Sequence, residues 1–155
     1  MSIQIGNQAP DFTLYNTEKK PISLADFKGK NVLILFFPMA FTRVCTAELC
    51  QTRDEITYYS GLNAEVLGIS VDSPFTLGKF KEEQNLPFQL LSDFNKTTSR
   101  AYGSIYDHWI LGMEGVSKRS AFVINNEGKI VYAEVLENAS DTPSFEAIKA
   151  ALVAI

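Results

Sequence analysis

Six short stretches of the chain combine β-branched, aromatic and other apolar residues in the way that strands do. They span residues 12–15, 21–24, 31–37, 64–71, 120–124 and 129–135. The stretch at 31–37 is apolar at nearly every position, which is typical of a strand buried on both faces of a sheet. The last two stretches flank Asn125-Asn126-Glu127-Gly128, a hairpin signal, and the first two predict a small N-terminal hairpin.

Longer segments with helical patterns fill the gaps between these strands. They span residues 43–60, 73–84, 96–102 and 142–155. The second begins with Ser73-Pro74 and the fourth with Thr142-Pro143, so in each a capping residue precedes a proline at the first helical position. The order predicts an α/β fold whose mixed central sheet carries helices on both faces. A thioredoxin-like fold fits this order, as other α/β folds do, and a single domain is expected over residues 1–155.

Composition and charge exclude several classes of function. The 155 residues are 46% hydrophobic and 21% charged, as in ordinary globular proteins. The net charge of −4 argues against nucleic acid as a partner, since phosphate binding needs a basic face. No stretch approaches the ~20 apolar residues of a membrane span, and the N-terminus is unlike a secretory signal, so a cytoplasmic location is expected. Two cysteines and one histidine are too few for a structural zinc site, and neither a metal nor another cofactor is expected.

The most informative segment follows the apolar strand at 31–37. The strand stops at Pro38, Thr42 is placed to cap the next helix through its hydroxyl, and Cys45 follows in the first helical turn. The N–H groups of a first turn lack intrahelical partners and carry partial positive charge, so they stabilise a thiolate. Cys45 is therefore a candidate nucleophile, and the alternative is a buried, unreactive cysteine. Pro38 either only ends the strand or also covers the sulfur and limits its contact with water.

Glu48 lies three residues after Cys45 and projects from nearly the same face of the predicted helix. A carboxylate there would by itself disfavour a thiolate, so it makes sense if it holds an arginine in position. The alternative is an ordinary solvated glutamate. The chain offers four candidates for such an arginine: Arg43, Arg53, Arg100 and Arg119.

Cys50 stands five residues after Cys45, which on an unbroken helix places the two side chains about 140° apart. Their Cα atoms would be about 8.6 Å apart, whereas a disulfide tolerates about 7 Å at most. The two sulfurs can therefore bridge only if the first turns of the helix unwind, which separates this pair from a C-x-x-C motif. Cys50 is either a resolving cysteine or a packing residue.

These residues resemble the active-site pattern of the peroxiredoxin family, which is proline, three residues, Thr or Ser, two residues and the peroxidatic cysteine. Pro38, Thr42 and Cys45 occupy those places, with Glu48 in the usual position after them. The resemblance covers most of the chain, in the segments APDFTL at 9–14, GISVDSP at 68–74, LPFQLLSD at 86–93 and KRSAFVINNEGKIVY at 118–132. In the last segment Arg119 matches the arginine that peroxiredoxins place beside the cysteine, which favours it over the other three.

Within the family, the segment FFPMAFTRVCTAEL is most similar to the AhpE-type members, which use one cysteine. A second cysteine five residues on, as at Cys50, is instead typical of the PrxQ group, or bacterioferritin comigratory proteins, where it resolves the oxidised first cysteine. The resemblance implies a thiol-dependent peroxidase that reduces hydrogen peroxide or organic hydroperoxides while Cys45 becomes a sulfenic acid. It also implies a homodimer, and recycling through Cys50, through thioredoxin or glutaredoxin, or through a small thiol.

Two other functions remain open on the sequence. A thioredoxin-like disulfide reductase also uses a thiolate at a helix start, and a non-enzymatic redox sensor would change its partner binding when Cys45 is oxidised. Residues 103–116 hold aromatic and apolar groups among glycines around Trp109, and they are expected to cover the active site, to form a dimer contact or to pack locally. His108 is interpreted as a surface or packing residue rather than a catalytic base.

Overall fold

The computed structural model describes residues 3–155 of the chain. Its strands are β1 (Thr13–Asn16), β2 (Pro21–Ser23), β3 (Asn31–Phe36), β4 (Ala64–Ser70), β5 (Gln89–Ser92), β6 (Ile105–Tyr106), β7 (Val116–Ser117), β8 (Ser120–Ile124) and β9 (Ile130–Val135). Its helices are α1 (Arg43–Asp54), α2 (Ile56–Gly61), α3 (Pro74–Gln84), α4 (Thr97–Ala101) and α5 (Phe145–Val153), with 3-10 turns at Leu24–Phe27 and Ile110–Gly112. Within the described residues, none of the helices has the length and apolarity needed to cross a membrane.

Seven strands form one sheet in the order β2-β1-β5-β4-β3-β8-β9, and β6 pairs separately with β7. β3, β4 and β5 run parallel to one another, β8 runs antiparallel to β3, and the hairpins β1-β2 and β8-β9 form the two edges. All six residues of β3 are buried in the interior of this sheet, which explains its uninterrupted apolar sequence. The predicted α/β fold with a mixed central sheet is confirmed.

The two faces of the sheet bury two separate apolar cores. On one face, Leu33 and Leu35 of β3 pack in a cluster with residues of α1, α2, α3 and α5. On the other face, Ile34 and Phe36 pack with the N-terminal segment and with Tyr102, the residue that ends α4. Adjacent side chains of a strand point to opposite faces, so β3 supplies both cores. Of the five helices within residues 3–155, four therefore share one face of the sheet.

Most predicted elements lie within one residue of the observed ones, and the first exception is the helix predicted over residues 43–60. It is two helices, because the backbone of Glu55 leaves the helical conformation between α1 and α2. At this break the Glu55 carboxylate pairs with Lys149 of α5. Such a tertiary contact leaves no trace in the periodicity of the sequence.

The closing helix and β5 also differ from the prediction, and the two-residue strands β6 and β7 are not predicted either. The closing helix begins at Phe145 rather than at Thr142, because Ser144 caps it and accepts the N–H of Ala147 through its hydroxyl at 3.2 Å. The sequence pattern also does not predict β5, a four-residue strand that follows Pro87 closely and lies between β1 and β4. Its position in the sheet is fixed by pairing on both sides rather than by a strong pattern of its own.

Gly68 in β4 is expected to tolerate no side chain. A Cβ atom there would lie 2.7 Å from Leu90 Cδ2 and 3.4 Å from Phe37 Cε1, and both of these side chains are fully buried. Gly68→Ala should therefore lower the free energy of unfolding by about 1–3 kcal/mol through overpacking, as measured by urea denaturation. Gly61→Ala is the control, because a Cβ at this helical position meets nothing within 4 Å. Equal stability of the two variants would contradict the prediction.

Candidate active site

Cys45 lies in the first turn of α1, as predicted, at the end of the loop that follows β3. Its side chain is 1% exposed and belongs to the apolar core between the sheet and α1. The sulfur nevertheless has a polar neighbour, because Arg119 Nη2 donates a hydrogen bond to Cys45 Sγ at 3.2 Å. The guanidinium is thus in direct contact with the sulfur.

Arg119 reaches the sulfur from the residue directly before β8, the antiparallel neighbour of β3, and its side chain is 2% exposed. Two further contacts orient the guanidinium: Nη1 donates to Glu48 Oε1 at 3.0 Å, and Nε donates to the carbonyl of Ala139 at 3.0 Å. The rigid fork of an arginine suits such a fixed set of acceptors. The structure thus brings Cys45, Glu48 and Arg119 together, in the arrangement that the sequence predicts.

The other three arginines lie elsewhere. Arg43 is exposed, Arg53 binds the C-terminal end of α3, and Arg100 forms a surface ion pair. His108 is exposed as well, which agrees with its interpretation as a surface residue.

The predicted capping role of the Thr42 hydroxyl is wrong. Thr42 does occupy the N-cap position, and its carbonyl accepts the N–H of Thr46 at 2.9 Å. Its hydroxyl, however, donates to the carbonyl of Met39 at 2.7 Å and does not bond to the helix backbone. This contact closes the turn that leads into α1. The first-turn N–H groups have no intrahelical partner, and without a side-chain cap they are left to bind other groups.

Glu48 is fully buried and shares the guanidinium with the sulfur. Its Oε1 accepts from Arg119, while its Oε2 has no hydrogen-bond partner among residues 3–155. Loss of hydration is the dominant effect and raises the pKa of Glu48 from 4.5 to about 7, although Arg119 acts in the opposite direction. The carboxyl is therefore partly protonated near neutral pH. Less of the guanidinium charge is then neutralised by Glu48 than in a fully ionised pair.

The loop between β3 and α1 is anchored by Asp72, a residue that the sequence analysis does not single out. Asp72 Oδ2 accepts the N–H of Ala40 at 2.8 Å and the hydroxyl of Ser70 at 2.7 Å. Burial raises the pKa of Asp72, although both hydrogen bonds favour its ionised form. A signal for this residue does exist, because an acidic residue just beyond the end of a parallel strand lies at the same sheet edge as the loop after the neighbouring strand.

Pro38 is buried directly after Phe37, whose N–H donates to the carbonyl of Ile69 at 3.0 Å. It thus stands where the pairing between the β3 segment and β4 stops, in agreement with its predicted role in ending the strand.

The sequence also does not predict the contact between Arg119 and the carbonyl of Ala139. A backbone acceptor leaves no signal in the sequence, because every residue has a carbonyl.

A cleft of about 610 Å³ opens beside the buried sulfur. It is lined by residues at the start of α1 and by segments from the far side of the site: Thr42, Arg43, Val44, Trp109, Ile110, Arg119 and residues 137–140. Trp109 and Ile110 therefore border the site, in agreement with the first of the three alternatives for residues 103–116. Arg119 both lines the cleft and contacts Cys45, so the guanidinium joins the cleft to the sulfur.

Cys50 lies more than one turn beyond Cys45 on α1, which is continuous from Arg43 to Asp54. Both cysteines are free thiols. The unbroken helix keeps the two sulfurs on different sides, so the structure agrees with the prediction that they cannot bridge while α1 is intact. Cys50 is half-buried, and its Sγ donates to Gln84 Oε1 at 3.4 Å.

A family model described as "AhpC/TSA family" matches residues 5–133 of the chain. The chain belongs to this family. The "Putative peroxiredoxin bcp" of Haemophilus influenzae is 41% identical over 131 residues, which cover 83% of this chain and 84% of that protein. Alkyl hydroperoxide reductase E of Mycobacterium bovis is 36% identical over 136 residues, or 86% of each protein. The crystal structure of peroxidoxin BcpB from Mycobacterium tuberculosis has a TM-score of 0.87 at 29% identity and covers 99% of this chain and 98% of its own.

Membership of the AhpC/TSA family confirms the predictions of a peroxiredoxin, of a thioredoxin-like fold and of a thiol-dependent peroxidase. The sequence resembles both the AhpE-type and the bacterioferritin comigratory members. A relative of each kind is similar to this chain, the alkyl hydroperoxide reductase E and the bcp protein. Family membership does not assign roles to individual residues, and those roles rest on the geometry of the site.

The buried carboxyl of this peroxiredoxin predicts that its stability depends on pH. Because the pKa of Glu48 is raised in the folded chain, the folded state holds a proton between pH 4.5 and about 7 that the unfolded state has released. The contribution of Glu48 to the free energy of unfolding therefore falls as pH rises through that window, by up to about 3 kcal/mol. Glu48→Gln should remove this dependence, which denaturant titrations at several pH values measure.

Glu82→Gln is the control, because it removes a carboxyl of the same type from an exposed position on α3 and should keep the wild-type slope. If wild type and Glu48→Gln change in stability equally between pH 4.5 and about 7, the buried carboxyl does not titrate in that window.

Proposed function

We propose that Cys45 is the peroxidatic nucleophile of this peroxiredoxin and that its thiolate attacks the terminal oxygen of a peroxide, in line with the O–O bond. The observation that carries the proposal is the 3.2 Å contact between Arg119 Nη2 and Cys45 Sγ, in a site where both side chains are buried. A sulfur electron pair forms the S–O bond as the O–O bond breaks. Water or an alcohol leaves, and Cys45 becomes a sulfenic acid.

Arg119 and the first-turn N–H groups are the proposed donors to the peroxide oxygens. They are fixed before the reaction begins, so they bind the charge that develops in the transition state better than they bind the substrate. Thr42 supports the same step, because the residue lines the cleft and its hydroxyl, which donates to the carbonyl of Met39, keeps lone pairs that can accept the proton of a hydroperoxide. Glu48 is a positioning residue for the guanidinium, and Pro38 limits the access of water to the sulfur.

The cleft supports a substrate range that extends from hydrogen peroxide to organic hydroperoxides. Val44, Trp109 and Ile110 give it an apolar wall, and Arg119 provides a polar group on the side of the sulfur. An alkyl group fits against such a wall while the peroxide oxygens meet the guanidinium. Hydrogen peroxide needs only the polar end of the cleft.

Cys50 is the proposed resolving cysteine, after local unwinding of α1. Its thiolate attacks the sulfenic sulfur of Cys45, the S–S bond forms as the S–O bond breaks, and the oxygen leaves as water after it takes a proton. Thioredoxin, glutaredoxin or a small thiol then reduces the bridge and restores both thiols. The spacing of the two cysteines supports this assignment, since it matches the PrxQ pattern.

A homodimer in the cytoplasm is the proposed setting of this reaction. Ile110 is 59% exposed and Leu111 is 91% exposed at the border of the cleft, which supports a protein contact there. Two free thiols are what a reducing compartment maintains. A disulfide reductase has less support, because it needs a second cysteine in bonding range and the intact α1 keeps Cys50 away from Cys45. A slow redox sensor also has less support, because it does not need a buried arginine beside the sulfur.

The two cysteines should differ sharply when each is replaced by serine. Cys45→Ser is expected to abolish peroxide consumption, because it removes the nucleophile. Cys50→Ser should keep a burst of one peroxide per chain but slow the thioredoxin-dependent turnover that follows. Peroxide consumption by Cys45→Ser would exclude Cys45 as the nucleophile, and unchanged turnover of Cys50→Ser would make Cys50 a packing residue.

Arg119→Lys is expected to lower the second-order rate constant for peroxide by about 100-fold, since one fixed donor to the transition state is lost while the positive charge remains. Stopped-flow measurement of the first oxidation step gives this rate constant directly. Arg100→Lys is the matched control, because Arg100 forms only a surface ion pair 3.6 Å from Asp107. Equal rate constants for the two variants would refute the assigned role of Arg119.

A further inference from the structure

We infer that Gln84, at the end of α3, restrains Cys50 and thereby sets the rate at which the Cys45–Cys50 disulfide forms. The contact between Gln84 Oε1 and Cys50 Sγ at 3.4 Å is the starting observation. The inference rests on the proposed resolving role of Cys50 and adds a positioning residue for that step.

Gln84 holds α1 at two places rather than one. Its side chain accepts from Cys50, and its backbone carbonyl accepts from Arg53 Nη1 at 2.7 Å. Cys50 and Arg53 are three residues apart and therefore neighbours on one face of α1. The last carbonyls of a helix lack intrahelical donors, so the guanidinium fills a place that the end of α3 leaves open. A single residue of α3 thus ties down the part of α1 that carries the second cysteine.

The end of α3 is itself firmly held, which makes Gln84 a fixed anchor. Asn85 ends the helix in a left-handed conformation with a φ of 51°. Lys81 Nζ donates to the carbonyls of Leu86 and Phe88 at 2.7 and 2.9 Å, so the segment after the helix is tied back to it. Leu86 and Phe88 are themselves buried. When α1 moves relative to α3, Gln84 cannot move with it, so its contacts with Cys50 and Arg53 must break.

The disulfide step requires such a movement. Cys45 faces the buried side of α1 with Arg119, whereas Cys50 faces Gln84, and the intact helix holds the two sulfurs apart. To attack the sulfenic sulfur, Cys50 must leave Gln84 while the turns between the two cysteines unwind. The contacts of Cys45 with Arg119 belong to the first chemical step, whereas those of Gln84 oppose only the second.

This restraint has a consequence for oxidative damage. While the sulfenic acid of Cys45 awaits Cys50, a second peroxide can transfer an oxygen to the sulfur: the S–O bond forms as the O–O bond breaks, water or an alcohol leaves, and a sulfinic acid results. A tighter hold by Gln84 prolongs the waiting time and raises the sulfinic fraction at high peroxide. A weaker hold lowers that fraction without changing the first oxidation.

Two substitutions of Gln84 are expected to change the rate of disulfide formation in opposite directions. Gln84→Ala removes the acceptor of the Cys50 thiol and should raise the rate about three- to tenfold, as expected for one lost hydrogen bond. Gln84→Glu keeps an acceptor and adds a charge that attracts Arg53 and disfavours a Cys50 thiolate, so it should lower the rate below that of wild type. General loosening of α3 would accelerate the step in both variants, so the opposite signs distinguish the restraint from a loss of stability.

The measurement is a single turnover of the full chain with one equivalent of hydrogen peroxide. Trp109, the single tryptophan of the chain, lines the cleft and reports both phases by its fluorescence. Mass spectrometry of samples quenched with dimedone separates the trapped sulfenic acid from the disulfide. The rate of the first phase should be the same in wild type and both variants.

Gln51→Ala is the matched control, because it removes an exposed hydrogen bond to Glu55 on the same helix without touching Cys50 or Gln84. Its disulfide rate should equal that of wild type. An unchanged rate in Gln84→Ala, or a change of the same sign in both Gln84 variants, overturns the inference. If wild type forms no internal disulfide at all, the proposed recycling step is wrong and the inference falls with it, whereas Cys45 as nucleophile is decided separately by Cys45→Ser.

Discussion

A guanidinium buried at 2% exposure is the constraint on which the site depends. A charge removed from water must be matched by its surroundings, and three groups do this for Arg119: Glu48, the carbonyl of Ala139 and the sulfur of Cys45. Glu48 is an incomplete counter-ion, because burial keeps its carboxyl partly protonated near neutral pH. The contact of the guanidinium with Cys45 Sγ therefore belongs to the same electrostatic balance that allows the arginine to be buried.

The sheet is what makes this balance attainable, since α1, Arg119 and Ala139 belong to separate parts of the chain. β3 delivers the loop and α1, and β8, its antiparallel neighbour, is immediately preceded by Arg119. Asp72, just beyond the end of β4, fixes the loop through the N–H of Ala40. The loop to Cys45, Asp72 and Arg119 thus each lie next to the end of one strand. Backbone pairing fixes the positions of these three strands relative to one another. A shift of register by one residue would turn Arg119 to the opposite face.

The sequence predicts those features that depend on local pattern. The buried strand at 31–37, the hairpin around residues 125–128 and the placement of Cys45 in a first helical turn all follow from periodicity and turn chemistry. The resemblance to peroxiredoxins selects Arg119 among four arginines. The break at Glu55, the acceptor at Ala139 and the bond from the Thr42 hydroxyl to Met39 depend on where other segments lie, so no local pattern contains them. The capping prediction fails for this reason. The Thr42 hydroxyl could point to a first-turn N–H or to the carbonyl of Met39, and the conformation of the folded loop selects the carbonyl.

The two proposed chemical steps place opposite demands on α1. The proposed attack on peroxide needs an intact first turn, because that turn holds its N–H groups and Arg119 beside the reacting sulfur. Disulfide formation needs the same helix to unwind as far as Cys50. A helix of 12 residues is marginal by itself in water, so its stability in the protein comes from contacts with other elements. The packing of Leu49 in the core favours the intact state, and so do the bonds of Gln84 to Cys50 and Arg53. Because these last contacts lie outside the reacting centre, substitutions there shift the balance between the two states of α1 and leave the nucleophile unchanged.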